Sequence, residues 1–169
     1  ECAAGEYQDV EGESGCLACA AGTYQGDSGS ATCVDVEAGF YGEVDGEGST
    51  EQVICPAGHA CVGGAARPAE CNAGTFAEEG SAVCTDCDAG TFSADNGASV
   101  CDECAAGSFS SAGSSSCTLC DVGTYQDSTG AASCIDCAVG TFQDETGATS
   151  CVECAAGEYQ DVEGESGCL

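Results

Sequence analysis

An aromatic side chain recurs about every 17 positions along this 169-residue chain, at Tyr7, Tyr24, Tyr41, Phe76, Phe92, Phe109, Tyr125, Phe142 and Tyr159. Each stands at the end of a Cys-x-x-Gly-x-aromatic pattern, apart from one unit in which Val36 replaces the Cys. A polar stretch follows and closes on a Gly, as in Asp95-Asn96-Gly97, Ser128-Thr129-Gly130 and Glu145-Thr146-Gly147. Asn-Gly is a strong hairpin signal, because both residues tolerate positive φ. The pattern therefore predicts small looped hairpins with short strands and a Cys at each end. Units open at 2, 19, 36, 55, 71, 87, 104, 120, 137 and 154. The Gly at the fourth position is present in all ten, and a positive φ is expected there. The unit opening at 55 lacks the aromatic and carries His59-Ala60 instead.

Eighteen cysteines admit very many pairings, but the irregular units restrict them. In the unit at 36 the opening Cys is Val36, and the closing Cys is replaced by Gln52 or Val53. Opener and closer vanish together, which is expected of partners. The unit at 55 moves its closer to Cys61 and has Pro68 near the usual place. The inferred bridges are Cys2–Cys16, Cys19–Cys33, Cys55–Cys61, Cys71–Cys84, Cys87–Cys101, Cys104–Cys117, Cys120–Cys134, Cys137–Cys151 and Cys154–Cys168. A closed loop of about 15 residues contributes roughly 3 kcal/mol in the chain-entropy description. The expected fold class is small and disulfide-rich: an elongated, solenoid-like array of one-disulfide hairpin units with almost no helix. Local bridges imply a quasi-one-dimensional rod in which each unit touches only its neighbours and the aromatic covers the disulfide.

The organisation reads as two regular repeats over 1–35, a Cys-free degenerate repeat over 36–54, a short-loop repeat over 55–70 and six regular repeats over 71–169. Residues 1–17 and 153–169 are identical, at an offset of 152. This suggests a 152-residue super-repeat that continues in tandem past both ends. The irregular stretch 36–70 would mark each period and is the expected place for lateral contacts.

Composition explains why bridges are needed. Leu, Ile, Val and Phe number only 22 of 169 residues, while the net charge is -29, from 30 acidic residues against one basic. Such a chain does not bury a core without cross-links. One Arg does not neutralise a phosphate backbone, which excludes nucleic acid. No apolar run of 18 residues exists to span a membrane. Disulfides on this scale imply an oxidising, extracellular setting.

The unit Cys-x-x-Gly-[Thr/Glu]-[Tyr/Phe]…Gly…Cys-x-x-Cys resembles the ephrin-receptor-like cysteine-rich repeat and the one-disulfide module of tumour necrosis factor receptors. Cys55-Pro56-Ala57-Gly58-His59-Ala60-Cys61 is similar to a short variant recurring in large secreted proteins of algae and other protists, and long arrays of such repeats occur in mastigonemes, the lateral hairs of flagella. The resemblance implies an extracellular structural protein that forms or decorates a filament or appendage, with self-association or companion subunits as partners. A receptor or adhesion stalk is the second reading, and an acidic Cys-rich metal-binding protein the third.

Six Cys-x-x-Cys motifs, such as Cys84/Cys87 and Cys117/Cys120, superficially match zinc spacing. Zinc would need reduced thiolates and leaves Cys2, Cys33, Cys55, Cys61, Cys71 and Cys168 without a scheme. No metal or catalytic residue is assigned, and no cofactor is expected. The acidic clusters Asp9–Glu13, Glu43–Glu47 and Asp144–Glu145 lack a Ca²⁺-loop pattern and read as a solvated face with weak Ca²⁺ screening. His59, the sole His, has no catalytic companion and reads as a packing substitute for the missing aromatic. No Asn-x-Ser/Thr sequon exists, whereas the Ser-rich stretch 108–118 offers hydroxyls for O-glycans.

Overall fold

Cys-x-x-Gly turns the chain sharply, because the Gly takes a left-handed conformation closed to other residues. In the computed structural model, which describes residues 1–42 and 48–169, all ten of these glycines have φ between 80° and 99°. Each turn feeds a two-residue strand ending on the aromatic. A loop then returns through the closing Cys to a second two-residue strand, made by the pair between the closer and the next opener. Thus β1 (Glu6–Tyr7) pairs antiparallel with β2 (Leu17–Ala18), and β3 (Thr23–Tyr24) with β4 (Val34–Asp35). Eighteen such strands make nine two-stranded sheets among the described residues, and no helix occurs there. The protein is a small, disulfide-rich fold of repeated hairpins.

The turn chemistry differs from the sequence expectation. No non-Gly residue among those described has a positive φ, so Asn96 does not join Gly97 in a two-residue hairpin turn. The strands are joined instead by long loops, such as Gln8 to Cys16, and the Gly within each loop bends it toward the preceding repeat. The closure that a tight turn would supply comes from the disulfide.

The described residues fall into two units that interleave along the chain. The first comprises Glu1–Asn72, Phe76–Thr85 and Gly97–Val100, and the second Ala73–Thr75, Asp86–Asn96 and Cys101–Leu169. Inside each unit, successive repeats are joined by the same backbone bonds. In the first, Gly39 N–H donates to Cys61 O (2.8 Å), Gly42 N–H to Ala65 O (2.9 Å) and Gly64 N–H to Val36 O (2.8 Å). In the second, Gly123 N–H donates to Gln143 O (2.7 Å), Gln126 N–H to Ala148 O (3.0 Å) and Gly147 N–H to Cys120 O (2.7 Å). These bonds satisfy backbone groups that a chain with so few strand residues would otherwise leave to solvent.

Contact also reaches beyond the immediate neighbour, contrary to the nearest-neighbour expectation. A Cβ on Gly39 would meet the carbonyl oxygen of Gly80, two repeats on, well inside 3.0 Å, and Gly123 stands in the same relation to Gly164. The missing side chain is what lets alternate repeats stack backbone to backbone.

Candidate functional site, the buried cystine column

Within each unit the apolar interior is a column of opening cysteines. Cys2, Cys19, Cys55 and Cys71 are buried in the first unit, and Cys87, Cys104, Cys120 and Cys137 in the second. Their partners lie nearer the surface, with Cys16 exposed, except Cys61, which is as buried as its partner Cys55. Nine disulfides join Cys2–Cys16, Cys19–Cys33, Cys55–Cys61, Cys71–Cys84, Cys87–Cys101, Cys104–Cys117, Cys120–Cys134, Cys137–Cys151 and Cys154–Cys168. Eight close 13 or 14 residues of sequence and the short one closes six. No cysteine is free among the described residues. Each opener is therefore bound to the closer of its own repeat.

The repeat without cysteines shows what replaces a bridge. Val36 occupies the opener's place in the column and is 2% exposed. Gln52 occupies the closer's place, and its Oε1 accepts a hydrogen bond from Glu37 N–H at 3.0 Å. A buried aliphatic side chain and a side-chain hydrogen bond thus stand where a disulfide stands elsewhere. In the short repeat, Cys61 lies just after the strand, where Gln stands in five other repeats, and it bonds Cys55 directly.

That Gln position was not singled out by the sequence reasoning. Gln8, Gln25, Gln126, Gln143 and Gln160 each follow the aromatic, and all but Gln8 are buried. Gln143 Nε2 donates to Ser150 O (2.7 Å) and its Oε1 accepts from Glu145 N–H (2.9 Å). Gln126 does the same with Ser133 O (2.9 Å) and Ser128 N–H (3.1 Å), and Gln8 with Gly15 O and Val10 N–H. One amide braces both ends of the loop, using both its donor and its acceptor. The recurring aromatic-Gln dipeptide was the available signal.

The remaining candidates are scattered. His59 is half-buried in the strand His59–Ala60, opposite Glu70, with Nδ1 3.3 Å from Ala57 O. Asp9, Glu11, Glu13 and Asp144 are exposed, and Glu43–Glu47 lie outside the described residues. In the Ser-rich stretch, Ser108 and Ser110 are buried, whereas Ser111, Ser115, Ser116 and Thr118 are exposed. Tyr7 shares a shallow groove with Cys33, the closer of the next repeat. No helix among the described residues is long and apolar enough to cross a membrane.

A family model described as tyrosine-protein kinase ephrin type A/B receptor-like matches residues 74–109 and 107–151. No curated protein matches the chain. Over 74–151 the chain is similar to that receptor-like cysteine-rich module, and its nine disulfides mark it as an extracellular repeat protein with a structural or stalk role.

Proposed function

We propose that this chain is an extracellular structural protein, a disulfide-stapled segment that forms or decorates a filament or surface appendage of the mastigoneme type. The observation that carries the reading is the cystine column: the repeats are held by covalent loops where a globular protein would use a shared core. Such loops resist unfolding and proteolysis, and the charge of -29 opposes non-specific clumping. The role is mechanical rather than catalytic. Contacts to itself or to companion subunits would build the assembly, with exposed Ser111, Ser115 and Ser116 available for O-glycans and carboxylates available for weak Ca²⁺ screening.

The match to an ephrin-receptor-like family favours a second reading, a receptor or adhesion stalk whose binding head lies outside this segment. A thiolate metal protein, the third reading, would compete for sulfurs that are here joined in pairs.

Intact mass before and after reduction and alkylation, with non-reducing peptide mapping, tests the covalent basis on native material. Eighteen alkylated cysteines only after reduction support the structural reading. Free thiols with bound metal overturn it. Electron microscopy then separates appendage from stalk. Long fibrils with a regular axial repeat support the first, and single particles with a globular head support the second.

A further inference from the structure

Directly opposed residues of an antiparallel pair project to the same face, so the register gives every hairpin two faces. In the first unit Tyr7 lies opposite Leu17, Tyr24 opposite Val34 and Tyr41 opposite Val53. In the second, Tyr125 lies opposite Ile135 and Phe142 opposite Val152. One face of these five hairpins is thus an aromatic beside an aliphatic side chain, whereas Phe92 lies opposite Asp102 and Phe109 opposite Thr118. The aliphatic members are uncovered: Leu17 is 51% exposed and Ile135 46%. The opposite face pairs Thr23 with Asp35 and Thr141 with Glu153.

A groove runs beside the aromatic, where one hairpin meets the next. Tyr7 walls a shallow groove with Ala20, Thr23 and Cys33 of the next repeat, and Asp9 stands on its lining. The second unit carries the same groove at equivalent positions, Tyr125 with Ala138, Thr141 and Cys151, and there Asp136 supplies the carboxylate. Single exposed aliphatic residues are ordinary, but a groove walled by Tyr and small side chains at equivalent positions of two repeats, in so apolar-poor a chain, is not.

Charge decides what covers it. A second copy would bring a further -29 and set carboxylates against Asp9 and Asp136. A polypeptide bearing both Lys or Arg and apolar side chains meets both features of the groove. We propose that these grooves dock a cationic polypeptide segment, its apolar side chains seated beside Tyr7 and Tyr125 and its basic groups against Asp9 and Asp136. The proposal holds for an appendage protein and for a stalk alike.

The test is a fluorescence-anisotropy titration of the intact chain with three labelled peptides. One repeats Lys-Leu-Gly, one repeats Lys-Ser-Gly at equal charge, and one repeats Ser-Leu-Gly without charge. At 0.15 M salt, where screening acts within about 8 Å, the Lys-Leu-Gly peptide should bind about tenfold tighter than Lys-Ser-Gly, the effect of burying one or two aliphatic side chains. The combined variant Tyr7→Ser and Tyr125→Ser, which strips the aromatic wall from both grooves, with all nine bridges verified by mass, should bring the two to within about twofold. Equal binding of the two cationic peptides in the unaltered chain would reduce the interaction to bulk charge and overturn the proposal. So would equal binding of the uncharged peptide, a preference that survives in the variant, or sedimentation of the free chain as a dimer that excludes peptide.

Discussion

Installing the bridge that the third repeat lacks, by Val36→Cys together with Gln52→Cys, should slow the local opening of residues 36–54. The two positions are those of opener and closer, and the loop between them, 16 residues apart by number, is close to the 13 and 14 of the regular bridges. Closing a loop of this size contributes roughly 3 kcal/mol in the chain-entropy description. Against that stands the lost hydrogen bond from Glu37 N–H to Gln52 Oε1, about 0.5–1.5 kcal/mol. Exchanging Val36, 2% exposed, for another small buried residue costs within about 1 kcal/mol. The net gain is about 1–2 kcal/mol, or roughly 5- to 30-fold in the opening equilibrium. Hydrogen-exchange mass spectrometry on peptides covering 36–54 reads this directly, since exchange reports local opening. Protection should rise by that factor there and stay unchanged in the six repeats from 71 onward. If the two cysteines remain free thiols in the folded protein, opener and closer slots are not apposed and the reasoning fails. It fails equally if the bridge forms and protection in 36–54 falls.

Two further substitutions probe the backbone stacking and the loop braces. Gly123→Ala and Gly140→Ala place a Cβ at φ of 80° and 81°, but only the first meets a carbonyl, that of Gly164. Both should suffer the left-handed strain of roughly 1–2 kcal/mol, with Gly123→Ala clearly worse in denaturant midpoint; equal losses would refute stacking between alternate repeats. Gln143→Glu removes the donor to Ser150 O and should expose loop 144–150 to faster exchange, at a cost of about 1–3 kcal/mol. Lowering the pH below about 4, where a Glu carboxyl regains a proton, should restore part of that protection, and a protection factor, taken against intrinsic exchange at each pH, that does not rise would count against the brace.

The hairpin repeat was legible because each of its parts needs a particular residue. Cys forms the bridge, Gly supplies the left-handed turn, and the aromatic marks the strand. The joint loss of the opener at 36 and the closer at 52 or 53 even pointed to which sulfurs pair. Other features left weaker traces. Stacking of Gly39 on Gly80 is a contact of backbone with backbone, and a glycine already required for its φ hides its second duty. Gln143 reads as one more polar loop residue, because its role lies in two main-chain partners that no letter records. Asn96-Gly97 was legible only in part: the turn is there, but the disulfide closes the loop, so Gly97 alone takes a positive φ and Asn96 keeps an ordinary one. The super-repeat and the boundaries of the irregular stretch remain properties of the sequence pattern.

Because each regular loop is sealed by its own sulfur bridge, a single cut within it leaves both fragments attached. A protease clipping between Cys120 and Cys134, or between Cys137 and Cys151, opens a ring without parting the chain. The two-residue links between rings are themselves strands, such as Ile135–Asp136, held in a ladder. Severance therefore concentrates where no ring encloses the backbone, at 36–54 and at 62–70. The irregular repeats are the places at which this protein can be taken apart into defined lengths.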